Sequence, residues 1–266
     1  MRPQVQRLGI GMLAASTLGL VVATTSGQVM QAAEETVLPK MQCTGNVRNG
    51  NGNGICTFDR VIPGIPFRYY KGDMRNGMPN GRGVFVLVND DRYEGQVVNG
   101  KYHGKGLYLF ANNDRYEGDF RNGKYHGKGS LLFDGFKYTG DFRNGEFNGR
   151  GNLTAPNGDR YSGSLLNGQP HGSGTLKFSG RVYTGQFHLG QANGRGTVTN
   201  ADGSRCQGVF FSSSLSGRGT CTFPTSSGIR SYTGEFRNGK PEGKGVMVFA
   251  SGRRVAGQFR AGQPAQ

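Results

Sequence analysis

The sequence predicts an all-β fold, an elongated, open and twisted single-layer antiparallel sheet built from consecutive hairpins. Three observations carry that prediction. The first is self-similarity: residues 93–106 read YEGQVVNGKYHGKG and residues 116–129 read YEGDFRNGKYHGKG. A period of 22 or 23 residues holds two short strands and two turns, but not a strand, a crossover helix and a turn. The second is alternation. With the tyrosine as offset 0, glycine falls at +2 and an apolar residue at +4, then glycine again at +11 and +13, which is the period of a strand. The third is Asn-Gly at +6 and +7, a dipeptide that accepts positive φ and signals a hairpin.

Composition fits the same class. Forty-eight glycines and 34% hydrophobic residues argue against an ordinary globule. Glycine has no period of three, which excludes collagen, and the regular aromatic positions argue against disorder. The formal charge is +15, and +13 once Arg2 and Arg7 of the first 33 residues are set aside. A surface that basic favours anionic partners without naming one.

Residues 1–33 hold Arg2 and Arg7, an apolar run over 8–23, and Ala32 and Ala33 before Glu34. This is the layout of a secretory signal peptide, with cleavage expected near Ala32 or Ala33. An uncleaved N-terminal membrane anchor is the alternative, although the run is short for a span. Residues 34–42 read as a polar linker, and 43–266 as the repeat array.

The array comprises nine full copies, with offset 0 at Cys43, Tyr70, Tyr93, Tyr116, Tyr138, Tyr161, Tyr183, Cys206 and Tyr232, and a final half copy at Val255. The first copy is two residues short in its turn, so Gly52 and Gly54 align with +11 and +13, and an insertion over 59–68 follows. The copy at Cys206 has Ser212 and Ser213 in place of Asn-Gly, with an extra segment over 224–231. Atypical terminal repeats are what capping an open array requires. Asn-Gly stands at 76–77, 99–100, 122–123, 144–145 and 238–239, and a loop of four or more residues is expected there. Second turns carry Asn112-Asn113, Asp134-Gly135, Asn157-Gly158 and Ser251-Gly252. Gln263 and Pro264 would blunt the last edge.

The cysteines set a register. Cys206 is at offset 0 and Cys221 at +15, and Cys43 and Cys56 occupy the same aligned positions of the shortened copy. Disulfides Cys43–Cys56 and Cys206–Cys221 are therefore predicted, each closing a loop of about fifteen residues and contributing roughly 3 kcal/mol. Two bridges behind a signal peptide indicate an oxidising compartment, a periplasm or a secretory lumen. If those residues face each other, Gly at +2 faces Gly at +13, under a stripe of aromatics. The expected groove consists of Tyr70, Tyr93, Tyr108, Tyr116, Phe120, Tyr138, Phe142, Tyr161, Tyr183 and Phe187, a stripe that sheet twist is expected to bury on itself, the alternative being that it binds a helix, a peptide or a second copy of the chain. The same register sets +3 against +12 within each copy, pairing Asp73 with Arg82, Asp119 with Lys128, Asp141 with Arg150 and Glu235 with Lys244.

The pattern Tyr-x-Gly-x-Phe-x-Asn-Gly-x-x-His-Gly-x-Gly, intact at 116–129, resembles the MORN (membrane occupation and recognition nexus) repeat, over nearly all of 43–262. The resemblance implies consecutive antiparallel hairpins with an aromatic groove, used for protein association, self-association and placement at membranes. Cys43, Cys206 and Val255 depart from it at the tyrosine position, Ser213 at the turn glycine, and Asn80, Asn148, Asn193, Ser216 and Glu242 at the histidine. Plant phosphatidylinositol phosphate kinases carry similar repeats ahead of a kinase domain. This chain ends with the array, and kinase activity is not expected.

No residue set has the pattern of a nucleophile, base and oxyanion donor, so no catalytic residue, cofactor or metal is expected. His103, His126 and His171 share offset +10, but equivalent positions of consecutive hairpins lie about 10 Å apart, too far to share a metal. Offset +12 carries a basic ladder, Arg82, Lys105, Lys128, Arg150, Arg195, Arg218 and Lys244, broken by Ser173. Arg75, Arg121, Arg143, Arg237 and Arg260 at +5 add charge near the turns. The ladder reads as a solvated face or as a site for anionic lipid headgroups or acidic glycans. The function expected is a non-catalytic exported scaffold or adaptor at a cell-envelope membrane. Its partner would be a protein or a second copy, with an anionic membrane surface as the other reading and nucleic acid not expected.

Overall fold

The computed structural model describes residues 41–58, 67–211 and 215–265. The expected signal peptide, most of the linker, most of the 59–68 insertion and the turn at Ser212 and Ser213 lie outside the described residues. Among these, twenty strands form one antiparallel sheet, open rather than closed into a barrel. No helix among them is long and apolar enough to cross a membrane.

The chain divides into two compact units at the start of the eighth strand. The first carries β1 (Met41–Gly45), β2 (Gly52–Phe58), β3 (Phe67–Arg75), β4 (Met78–Leu87), β5 (Arg92–Val98), β6 (Lys101–Leu109) and β7 (Arg115–Arg121). The second carries β8 (Lys124–Phe133), β9 (Phe136–Arg143), β10 (Glu146–Thr154), β11 (Arg160–Leu166), β12 (Gln169–Phe178), β13 (Arg181–His188) and β14 (Gln191–Thr199). It continues through β15 (Arg205–Phe211), β16 (Gly217–Thr222), β17 (Ile229–Arg237), β18 (Lys240–Phe249), β19 (Arg254–Arg260) and β20 (Gln263–Pro264). Within each unit, strands pair with their neighbours in sequence.

Both expected disulfides are present: Cys43 faces Cys56 with the sulfurs 2.11 Å apart, and Cys206 faces Cys221 at 1.99 Å. Glycine also faces glycine, and the row continues from copy to copy. In the first unit Gly83 pairs with Gly95 and Gly106 with Gly118. In the second, Gly140, Gly151, Gly163, Gly174, Gly185 and Gly196 follow one another across six strands.

The turn differs from expectation. Val98 pairs with Lys101, and Leu166 with Gln169, so the loop has two residues rather than four or more. Asn99 and Gly100 have φ of 49° and 71°, the two positive values of a type I′ turn, whose twist matches that of the strands. A two-residue loop sets +5 against +8, whereas the glycine row needs +2 against +13. The mismatch is absorbed by a bulge: after Gly140↔Gly151 the register slips so that Phe142 faces Phe147. Gly149 at +11 lies in the slipped segment with φ 108°, a conformation that glycine supplies without a Cβ penalty.

That slip overturns the expected pairing of Asp73 with Arg82, Asp141 with Arg150 and Glu235 with Lys244: in those hairpins +3 does not face +12, just as Gln96 faces His103, whereas the Cys206 hairpin keeps Val209 opposite Arg218. Between copies the register runs unbroken, so Asp119, Asp141 and Glu235 each meet the +12 base of the preceding copy, while Asp73 accepts from the amide of Asn53. Lys105 bonds Asp119 at 2.7 Å, Lys128 bonds Asp141 at 2.5 Å and Arg218 bonds Glu235 at 2.7 Å. Asp73 and Asp141 use their carboxylates to accept the backbone N–H of Arg82 and Arg150 instead of pairing with those side chains.

Candidate binding surfaces

Alternation sends offsets 0, +2 and +4 to one face and +1, +3 and +5 to the other. All ten aromatics expected to line a groove are buried; Tyr70, Tyr93, Tyr116 and Tyr183 have no accessible surface at all. Each repeat tyrosine lies across the glycine row of its own copy. A Cβ built at Gly151 would meet the Tyr138 ring at 2.3 Å, and one at Gly83 would meet the Tyr70 ring at 2.3 Å.

The hydroxyl then donates to the carbonyl at +3, inside the slipped segment. Tyr93 reaches the Gln96 oxygen at 2.6 Å, Tyr138 the Asp141 oxygen at 2.9 Å and Tyr183 the Gln186 oxygen at 2.9 Å. Tyr232 also donates to the Glu242 and Lys244 carbonyls on the facing strand. Burial pushes the Tyr183 and Tyr232 phenols up to about 12, from 10.0, and raises those of Tyr70, Tyr93, Tyr138 and Tyr161 further. These tyrosines hold the backbone together.

In two copies an aromatic at +9 stacks on the tyrosine, a contact that the sequence reading missed. Tyr102 stacks on Tyr93 with ring centroids 3.9 Å apart, and Phe147 stacks on Tyr138 at 3.8 Å. The same offset holds Pro79, Tyr125, Pro170, Ala192, Leu215 and Pro241, all apolar, and that shared character was the available signal. The +9 carbonyl also accepts the turn-glycine N–H of the next copy, as from Gly100 to Pro79 and from Gly168 to Phe147, both 2.9 Å.

The opposite face carries the charge. Arg82, Lys105, Lys128, Arg150, Arg195, Arg218 and Lys244 are all exposed, as are Arg75, Arg121, Arg143, Arg237 and Arg260. Lys105, Lys128 and Arg218 are in the inter-copy ion pairs, whereas Arg82, Arg150, Arg195 and Lys244 face Gln96, Ser164, Val209 and Gln258. Exposed pairs of this kind contribute about 0–1 kcal/mol each, so the aromatic face dominates stability.

His103, His126 and His171 are partly buried beside the hairpin turns. His188 of the next copy lies beside His171, with ring centroids 5.0 Å apart, a proximity that comparing only equivalent offsets did not reveal. Among the described residues no three of His, Cys, Asp and Glu are grouped to hold a metal ion.

One edge of the second unit is apolar where other copies are basic or polar. Offset +5 is arginine in five copies but Leu166 and Phe211 in two others, and Phe211 is 60% exposed. Leu189 takes the place of the turn asparagine with φ 47° and is 58% exposed, while Val209 is 50% exposed. Leucine in the left-handed region costs roughly 1–2 kcal/mol, a cost that asparagine largely avoids. The turn itself therefore does not explain Leu189.

The MORN repeat pattern matches eight successive segments, 70–92, 93–115, 116–135, 138–160, 161–180, 183–205, 206–228 and 232–253. The chain belongs to the MORN repeat family. The hairpin of Cys43 and the final half copy fall outside the eight matched MORN segments. No curated protein matches the sequence. Among solved structures, the SAS-4 (dCPAP) TCP domain of Drosophila melanogaster, in complex with a proline-rich motif of Ana2 (dSTIL), is similar. Its identity is 10% and its TM-score 0.34, over 88% of this chain and 99% of that one. A virginiamycin B lyase from Staphylococcus aureus aligns at 9% identity and a TM-score of 0.17, over 83% of this chain and 74% of that one.

Proposed function

We propose that this MORN array is a non-catalytic scaffold or adaptor that associates with a partner protein, exported and working at a cell-envelope membrane. The observation that carries the reading is the apolar turn edge formed by Leu166, Leu189 and Phe211, three large exposed side chains in successive copies of one unit. Large apolar side chains kept in water, one of them in a backbone conformation it disfavours, suit an anchor that a partner buries. The aromatics of the opposite face are already buried against their own chain, whereas this edge keeps large apolar side chains exposed. The two disulfides fit an oxidising compartment, and the layout of residues 1–33 supports export into one.

The test uses stability and association as separate readouts. Leu189→Asn restores the residue that the type I′ turn prefers, and stability is expected to rise by about 1 kcal/mol. Crosslinking in the native host, followed by identification of attached proteins, is expected to lose its main protein adduct in this variant and in Phe211→Ser. Unchanged adducts in both variants would sink the proposal. Light scattering of the purified chain identifies the case in which the partner is a second copy.

A further inference from the structure

On the outward face of the second unit, the register sorts side chains into three adjacent lanes. Offsets −1 and +16 face each other in every strand pair from Lys137↔Thr154 to Val248↔Arg254. This lane holds the exposed cations Lys137, Arg160, Lys177, Arg205 and Arg254 and no acid. Offsets +1 and +14 form the middle lane, which has no charge from Ser130 to Thr233. Its ten successive members are Ser, Thr, Asn or Gln, among them the exposed Thr139, Ser162, Thr184, Gln207, Thr220 and Thr233. The third lane, offsets +3 and +12, holds Lys128, Arg150, Arg195, Arg218 and Lys244 against two acids, Asp141 and Glu235.

Two rows of cations thus flank a row of hydroxyls and amides, about 13 Å apart across four strand residues. Successive members of a lane are about 4.8 Å apart, one strand spacing. That spacing is comparable to the rise of one sugar along an extended polysaccharide. Among the described residues, none of the five cations of the first lane is in an ion pair, nor are Arg150, Arg195 and Lys244. An open depression of about 380 Å³ lies in this face, lined by Arg205, Gln207, Gly219, Thr220 and Thr222.

We propose that this face binds a linear acidic polysaccharide running across the strands. Sugar hydroxyls meet the middle lane, and carboxylates or sulfates meet the cations on either side. The lanes themselves favour this polymer over other polyanions. They contain no aromatic residue, so they offer no platform for stacking nucleobases. Their exposed apolar surface is limited to valines such as Val209, with none of the Trp, Phe or Leu side chains that insert between lipid headgroups. Their charge is arranged for a chain that is anionic at its margins and hydroxylated along its centre.

The experiment is calorimetric titration of the purified full chain with polygalacturonate. Dextran, vesicles of anionic phospholipid and a thymidine homopolymer serve as the other arms. The expected result is binding to polygalacturonate that weakens as salt rises, with none to dextran. The triple variant R160Q/K177Q/R205Q is expected to weaken binding about tenfold, whereas R143Q/R237Q/R260Q, which removes equal charge from the turn edge, changes it less than about twofold. Should the first triple variant fail to fold, the single Thr184→Glu variant, an acid set into the middle lane, is expected to produce a similar loss. Equal losses in the two triple variants, tighter binding to vesicles or to the homopolymer, or no binding to polygalacturonate at low salt would each overturn the proposal.

Discussion

Tyr183 shows what each repeat tyrosine contributes. Its ring fills the space above Gly185 and Gly196, and its hydroxyl donates to the Gln186 carbonyl at 2.9 Å. Tyr183→Phe keeps the ring and leaves that carbonyl without its donor, so chemical denaturation is expected to show a loss of about 1–2 kcal/mol. The phenol also sets an alkaline limit. Its proton is held to about pH 12 when folded, against 10.0 for an ordinary tyrosine. Above pH 10 the unfolded chain therefore releases protons that the folded chain keeps, and stability falls as pH rises toward 12. Thermal melts across that range are expected to decline, less steeply in Tyr183→Phe. The tyrosine was legible in the sequence because it recurs unchanged. The stacking at +9 was not, because that offset is proline, tyrosine, phenylalanine, alanine or leucine and shares only its apolar character.

At the level of the hairpin, the decisive competition is between turn and glycine row. The type I′ turn and the row demand registers that differ, and the bulge with Gly149 at positive φ reconciles them. Reading the cysteines gave the glycine row correctly but carried one register through to the turn, which is why the charge pairs were assigned within copies. A double-mutant cycle separates the two assignments. Lys128 and Asp141 are expected to couple by about 0.2–1 kcal/mol, and the Asp141 and Arg150 side chains by close to zero. Gly151→Ala tests the row itself. Its Cβ would meet the Tyr138 ring at 2.3 Å, and the resulting displacement is expected to cost about 1–3 kcal/mol or more by denaturation. The same substitution would leave the ion pairs untouched.

Over the whole molecule, the strand order was plain from periodicity, eight of the nine full copies read in the sequence match the family pattern, and the cysteines added their own pairing. Replacing Cys206 and Cys221 by serine is expected to lower stability by roughly 3 kcal/mol. Mass spectrometry of non-reduced peptides is expected to recover Cys43 with Cys56 and Cys206 with Cys221, and a Cys43 link to Cys206 would contradict the observed register. The surfaces were less legible than the fold. Glycine, tyrosine and the turn dipeptide obey local rules that repeat in most copies, whereas Leu189 and Phe211 matter as exceptions, visible as exposed only once the strands are in place. The outward lanes were partly legible: the +12 ladder could be read directly, but its neighbour at −1 and +16 joins residues from opposite ends of the repeat.

The unbroken register between copies has a consequence for how such a chain changes over generations. Every full copy presents a glycine at +13 to the strand that follows, in the same register. Loss of the 22 residues from Tyr161 to Val182, or duplication of them, would leave each remaining strand beside an equivalent neighbour. Unequal recombination can therefore alter the length of the array in whole-copy steps without creating a new folding problem. Homologues are then expected to differ in copy number as readily as in side chains.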